Sequence, residues 1–319
     1  MWRRLRAAGV LGINGRNALY TLRHNARRLY PLVDDKLATK RLCEAAGIPA
    51  PRLLAVAYRH YELRRLLAEL AAHQSFVLKP ARGAMGNGIV VVLGHRGEGF
   101  VRSGGREISR EGFLYHAAGI ISGLYSLAGH SDVAMVEERL ESHPALAALC
   151  TEGVPDVRVI VYRGYPVMSM TRLPTAASAG RANLHQGAIG AGIELASGRT
   201  HRAILRGREV GENPDTGRRV LGVPIPAWER VLETAVRATD QTGLGYVGAD
   251  VVVDAARGAM ILEMNARPGL AIQLANGAGL LHRLRAVDEL AEVSRSLSQR
   301  IELGREIAAR ARARARRAA

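Results

Sequence analysis

Residues 245–269 read GYVGADVVVDAARGAMILEMNARPG. Two apolar runs, Tyr246 to Val253 and Ala259 to Met264, flank a polar turn at Asp254 to Gly258, which predicts an antiparallel hairpin. Glu263 and Asn265 are two apart, so on a strand their side chains share a face. Asp250 falls on the neighbouring strand. Unpaired carboxylates are costly in so apolar a hairpin. Three oxygen donors there point to a hard divalent cation such as Mg²⁺, which completes its shell with phosphate oxygens and water. The plainer alternative is a polar strand face turned to solvent.

Further upstream, FVLKPARGAMGNGIVVV (residues 76–92) places a lysine at the end of one predicted strand, Phe76 to Lys79. Three glycines and a second strand, Ile89 to Leu93, follow. Backbone N–H groups of such a loop can fold over phosphates held by the lysine. The pattern is neither a P-loop nor a dinucleotide-binding fingerprint, since both need a helix after the glycines. An ordinary turn is the competing reading.

Around these blocks the periodicity predicts a helix over Asp34 to Ala46, capped by Asp34 or Asp35 and stopped by Gly47 and Pro49. Further helices are expected at Tyr58 to Ala72 and Ala227 to Thr242, and a charged helix from about Leu281. Val133 to Glu137 reads as a strand, and Val157 to Tyr162 with Pro166 to Thr171 as a hairpin turning at Arg163-Gly164. No apolar run is long enough to span a bilayer, and the chain is expected to be cytoplasmic. Cys43 and Cys150 match no metal or disulfide spacing.

The net charge of +16 is concentrated at the two ends. Residues 1–30 hold seven Arg and no acid, and residues 300–319 hold seven Arg and two Glu, so the ends carry 12 of the 16. The body is ordinary for a protein that binds a nucleotide polyanion. The Arg-rich end reads either as a solvated, frayed tail or as an anionic contact.

Taken in order, D-D-K-L-A-T-K (Asp34 to Lys40), K-P and the glycine loop (Lys79 to Gly88), V-E-E-R-L (Val136 to Leu140) and D…E-x-N-x-R (Asp250, Glu263, Asn265, Arg267) resemble the ATP-grasp superfamily. D-V-R at Asp156 to Arg158, R-A-N-L-H-Q-G at Arg181 to Gly187 and N-A-R-P-G-L at Asn265 to Leu270 resemble RimK-type alpha-L-glutamate ligases. G-I-N-G-R-N at Gly12 to Asn17, with Y-P-L-V-D-D-K at Tyr30 to Lys36, is similar to the alpha-L-glutamate ligase-like subgroup.

The resemblance implies an α+β ATP-grasp fold in which two lobes enclose a nucleotide cleft. The expected division is a basic arm (1–33), an N-terminal lobe (34–139), a C-terminal lobe (140–290) and an Arg-rich helix or tail (291–319). Lys36 and Lys79 would contact ATP phosphates, covered by the loop containing Arg82, Gly83, Gly86 and Gly88. Glu138 and Arg139 would lie at the adenine hinge. Asp156 would take the ribose hydroxyls, and Arg181 and Asn183 would face the triphosphate. Asp250, Glu263 and Asn265 would hold two Mg²⁺, with Mn²⁺ as the alternative ion. Arg158 and Arg267 are the catalytic candidates, because guanidinium forks suit an acyl phosphate and a tetrahedral intermediate. A structural ion pair is the competing reading of each. His185 is assigned to nucleotide positioning rather than to proton abstraction.

Two features depart from the pattern. Residues 1–33 are too few for the α/β domain that precedes the D-K helix in glutamate ligases, so the acceptor site is expected to be built differently or completed by a partner protein. The stretch from Glu138 to Asp156 is also longer than usual, which loosens the hinge assignment. The expected activity is an ADP-forming carboxylate–amine ligase joining glutamate or another amino acid to a peptide, protein or small-molecule carboxylate. A small-molecule kinase is the first alternative. A nucleic-acid-binding protein acting through its arginines is the second, disfavoured by the few aromatic residues.

Overall fold

The computed structural model describes every residue except Met1, Ala84, Met85, Leu127, Ala128, Glu292 and Ala319, together with the side chains of all but 2–4 and 315–318 of the rest. The described chain divides into two compact units, one of residues 35–41 and 50–140, the other of residues 1–34, 42–49 and 141–319.

The smaller unit is built on a six-stranded antiparallel sheet: β1 (Leu53–Ala57), β2 (Phe76–Pro80), β3 (Val90–Arg96), β4 (Gly99–Arg102), β5 (Glu107–Ile108) and β6 (Ala134–Glu138), in the order β1-β6-β2-β3-β4-β5. Helices Leu63–Leu70 and Arg110–Ile121 cover it. They bury Leu63, Leu66 and Leu70 from the first, and Phe113, Ala117 and Ile120 from the second, against Phe76, Leu78, Val92 and Phe100. Phe76, Phe100 and Phe113 meet with ring centroids 5.0 to 5.8 Å apart. The helix expected over Tyr58 to Ala72 begins only at Leu63, because a tight turn at His60–Glu62, closed by the Glu62 carboxylate on the Tyr58 and Arg59 N–H groups, precedes it.

The larger unit carries a seven-stranded antiparallel sheet: β7 (Asp156–Tyr162), β8 (Tyr165–Leu173), β9 (Ile189–Ile193), β10 (Thr200–Leu205), β11 (Arg208–Glu209), β12 (Tyr246–Asp254) and β13 (Gly258–Asn265), in the order β11-β10-β9-β8-β7-β12-β13. The two predicted hairpins form. Arg163 (φ 49°) and Gly164 (φ 80°) make the two-residue β7–β8 turn, which needs positive φ at both positions. Asp254 closes the other by accepting from the N–H groups of Ala256 and Arg257. Every residue of β8 and β12 is buried, so both faces of the sheet centre are covered. Helix Trp228–Thr242 packs on one face through Val231, Leu232, Ala235 and Val236. The other face changes character along the strands. At one end Ile160, Tyr162, Met168 and Tyr246 join Leu11, Tyr20, Ile272, Leu284 and Ile307 in an apolar cluster. At the other end it is charged.

The N-terminal basic segment is tied into this unit. Arg16 donates to the carbonyl of Pro268 (2.9 Å), and Asn25 bridges the Tyr246 and Ala266 carbonyls (2.7 and 2.9 Å). The charged helix expected from about Leu281 is two helices, Leu281–Asp288 and Leu297–Ala318. The second packs on β8 and buries Ile301, Ile307 and Ala308. Cys43 is fully buried, and burial pushes the Cys150 thiol up to about 12, so neither is a nucleophile. Among the described residues no helix is long and apolar enough to cross a membrane.

Candidate active site

Pairing register assembles the charged end of the larger sheet. Arg158 on β7 stands opposite Asp250 on β12, which stands opposite Glu263 on β13. One step along the same face Asp156 stands opposite Arg172 on β8. Directly opposed side chains in antiparallel strands lie close enough to pair, and these do. Arg158 Nε and Nη2 donate to the two oxygens of Asp250, both at 2.6 Å. Arg172 makes the same fork to Asp156 and extends Nη2 to Asp250 Oδ2, again at 2.6 Å. Arg158 Nη1 has no hydrogen bond among the described residues, which leaves two N–H groups for another oxygen.

Asp250 is 0% exposed and Asp156 only 2%. Burial alone would raise the Asp250 carboxyl, but Arg158 and Arg172 outweigh it and hold Asp250 well below the usual carboxylate range. Burial dominates at Asp156, where Arg172 opposes it and the Asp250 charge adds to it, and the carboxyl is pushed up to about 7. Arg172 is held protonated: burial opposes its charge, but Asp156 and Asp250 prevail. When all are ionised, three carboxylates (Asp156, Asp250, Glu263) face two guanidiniums, and the row keeps a net negative charge.

A divalent ion fits the outer part of this row. Glu263 and Asp250 are within hydrogen-bonding reach of each other, and adjacent carboxylates repel unless a proton or cation lies between them. Beside them the buried side-chain amide nitrogen of Asn265 has no partner among the described residues. Exchanging the two ends of that amide would present its oxygen instead. No three carboxylate, imidazole or thiol groups are placed to hold a metal ion by themselves among the described residues, so two carboxylates, one amide oxygen and the nucleotide's own oxygens would form the shell. Asp250 is also the counter-ion of two arginines, a role the sequence did not indicate.

The remaining assigned residues are held as follows. Arg267 is exposed, 3.6 Å from Asp34 and 5.4 Å above the Tyr30 ring. Asn183 caps the turn Leu184–Gln186 by accepting from the N–H of His185 (3.0 Å); His185 and Arg181 are exposed. Asp156, expected at a ribose, has both oxygens on Arg172, so in this structure it positions a guanidinium.

In the smaller unit, Lys79 is 4% exposed and its ammonium pairs with Glu137. The other Glu137 oxygen is 2.8 Å from Lys40. Burial raises the Glu137 carboxyl, but Lys79 and Lys40 outweigh that and keep it ionised. Burial lowers Lys40 against the pull of Glu137. Two N–H groups of Lys79 remain unengaged among the described residues. Lys36 donates to the Gly83 carbonyl at 2.6 Å. Arg82 is anchored by its N–H to Asp132 and by Nε to Asp35 (3.1 Å). Gly86 and Gly88 both have φ of 75°, which favours glycine; Ala84 and Met85 of this loop lie outside the described residues. Glu138 accepts from the Arg52 N–H at 2.5 Å, next to the half-buried Arg139.

Arg172, Lys40 and Glu137 were missed in the sequence. Glu137 had a signal, alternation on β6 that puts it on the same sheet face as Met135 while its neighbour Glu138 faces away. Arg172 had none, because its partners are set by the β7–β8 register.

The family profile described as sugar-transfer associated ATP-grasp matches residues 15–289. No curated protein matches the sequence. Among solved structures, the ATP-grasp ligase PsnB complexed with minimal precursor is similar at 16% identity and a TM-score of 0.41, over 89% of this chain and 63% of that one. The D-cycloserine synthetase DcsG is similar at 16% identity and a TM-score of 0.41, over 81% of this chain and 71% of that one. The chain thus spans less than two thirds of the length of PsnB.

Proposed function

The chain belongs to the sugar-transfer associated ATP-grasp family and has the ATP-grasp fold, and from that premise we propose that it is an ATP- and Mg²⁺-dependent carboxylate–amine ligase. In this reading ATP phosphorylates a carboxylate, and an amine displaces phosphate from the acyl phosphate to give an amide, ADP and inorganic phosphate. The observation that carries it is the row Arg158–Asp250–Glu263 with Asn265 beside it, a negative donor set backed by two fixed guanidiniums.

Phosphoryl transfer to a carboxylate brings several negative charges together, and preorganised cations lower that barrier. Glu263, Asn265 and Asp250 would hold the ion, which would supply positive charge to the phosphate oxygens. Arg158 offers its unengaged Nη1 to the acyl phosphate, while Arg172 and Asp156 keep Asp250 and Arg158 in register. Lys79 and Lys36 serve the phosphates of the nucleotide, with the loop from Arg82 to Gly88 as their cover. Arg267 is assigned to the tetrahedral intermediate. The acceptor is a peptide, protein or small-molecule carboxylate and the amine glutamate or another amino acid, in the manner of the RimK-type ligases. ATP and Mg²⁺ supply place the reaction in the cytoplasm.

A panel of amino acids and acidic peptides, scored by mass shift and by products, tests this reading. A condensation product with ADP and inorganic phosphate released in equal amounts is expected. Phosphate retained on the product would instead make the protein a kinase, and no nucleotide-dependent product with any pair would count against the ligase reading.

A further inference from the structure

The basic segment at the beginning of the chain presents apolar side chains outward. Residues 13–24 form a continuous helical stretch that buries Tyr20 and Thr21 and turns the opposite side to solvent. Ile13 is 61%, Leu19 45% and Leu22 60% exposed. Arg23, Arg27 and Arg28 beside them are exposed too. Residues 1–30 contain no acidic residue at all. The backbone of helix Trp2–Ala7 lies against helix Leu297–Ala318 within the same unit. Exposed aliphatics followed by exposed arginines, in a stretch without acids of its own, match the requirements of a surface that is anionic outside and apolar just beneath.

We propose that this face of the larger unit docks on an anionic lipid bilayer. Leu19, Leu22 and Ile13 enter the boundary between headgroups and acyl chains, while Arg23, Arg27 and Arg28 take lipid phosphates. A nucleic acid would use the arginines but gains nothing from aliphatic side chains, and Tyr20, the aromatic residue of this helical stretch, is buried rather than offered for stacking. None of these residues belongs to the donor row on β7, β12 and β13.

Sedimentation of the full chain with vesicles tests this. Binding to phosphatidylglycerol-containing vesicles and not to phosphatidylcholine vesicles is expected. L19S/L22S should weaken it by about tenfold or more through lost apolar burial. R23A/R27A/R28A should weaken it by roughly fivefold per arginine at low salt. Both variants change exposed side chains only, and unchanged melting temperatures confirm that they fold. Absence of binding to anionic vesicles overturns the proposal, as does equal binding to neutral ones. Binding that ignores the leucine substitutions, or tighter binding to duplex DNA than to vesicles, also overturns it in favour of a purely electrostatic nucleic-acid contact.

Discussion

At Glu263 a carboxylate stands next to Asp250, which is already held by two arginines. Glu263 adds a second carboxylate charge beside it, and the Asp250 register fixes where it stands. Glu263→Gln keeps the shape and removes the charge. It should lower Mg-ATP turnover by about a hundredfold or more with little change in melting temperature, and turnover like that of the wild type would refute the metal assignment. Asp156 gives a second test. Its carboxyl has a folded-state value of about 7 against 3.8 when free, so between those values the folded protein binds a proton that the unfolded chain has lost. Its contribution to stability is therefore full below about pH 4 and fades as pH rises through about 7. Asp156→Asn lacks that slope, so the melting temperature of the wild type relative to the variant should fall over this window; a constant difference would show that Asp156 stays ionised. The placement of Asp250, Glu263 and Asn265 on paired strands of one hairpin was legible in sequence, because strand period two and an apolar setting single them out. Arg172 and the Lys40–Glu137–Lys79 group were not, because cross-strand register and buried pairing decide which charges meet.

Among the elements, both hairpins were legible, since each has a short polar turn between apolar runs. β9 was not, because Gly190 and Gly192 dilute the strand signal. Gly192 is nonetheless required: a Cβ there would lie 2.5 Å from the Ala275 carbonyl. In the helix Leu297–Ala318 the buried positions Ile301, Ile307 and Ala308 were not legible, as its arginine content hides them. Gly304 lets that helix approach β8, with the position of a Cβ 2.4 Å from the Pro166 carbonyl. Gly304→Val should push the helix away and lower stability by about 1–3 kcal/mol, read from the urea midpoint. An unchanged midpoint would mean that the helix does not pack there in solution.

For the whole molecule, the ATP-grasp fold was legible because its four sequence blocks occur in order from Asp34 to Arg267, and the family match over residues 15–289 agrees. Substrate choice was not legible, and neither was the course of irregular segments such as 174–187, whose shape comes from caps and turns like Thr175 on the Ser178 N–H rather than from period. The central claim is that a carboxylate is activated by phosphorylation. With an acceptor identified from the panel and its carboxylate labelled with ¹⁸O, the released phosphate should carry one labelled oxygen, transferred as the amine displaces it. Phosphate free of label, its oxygen drawn from water, would contradict the account.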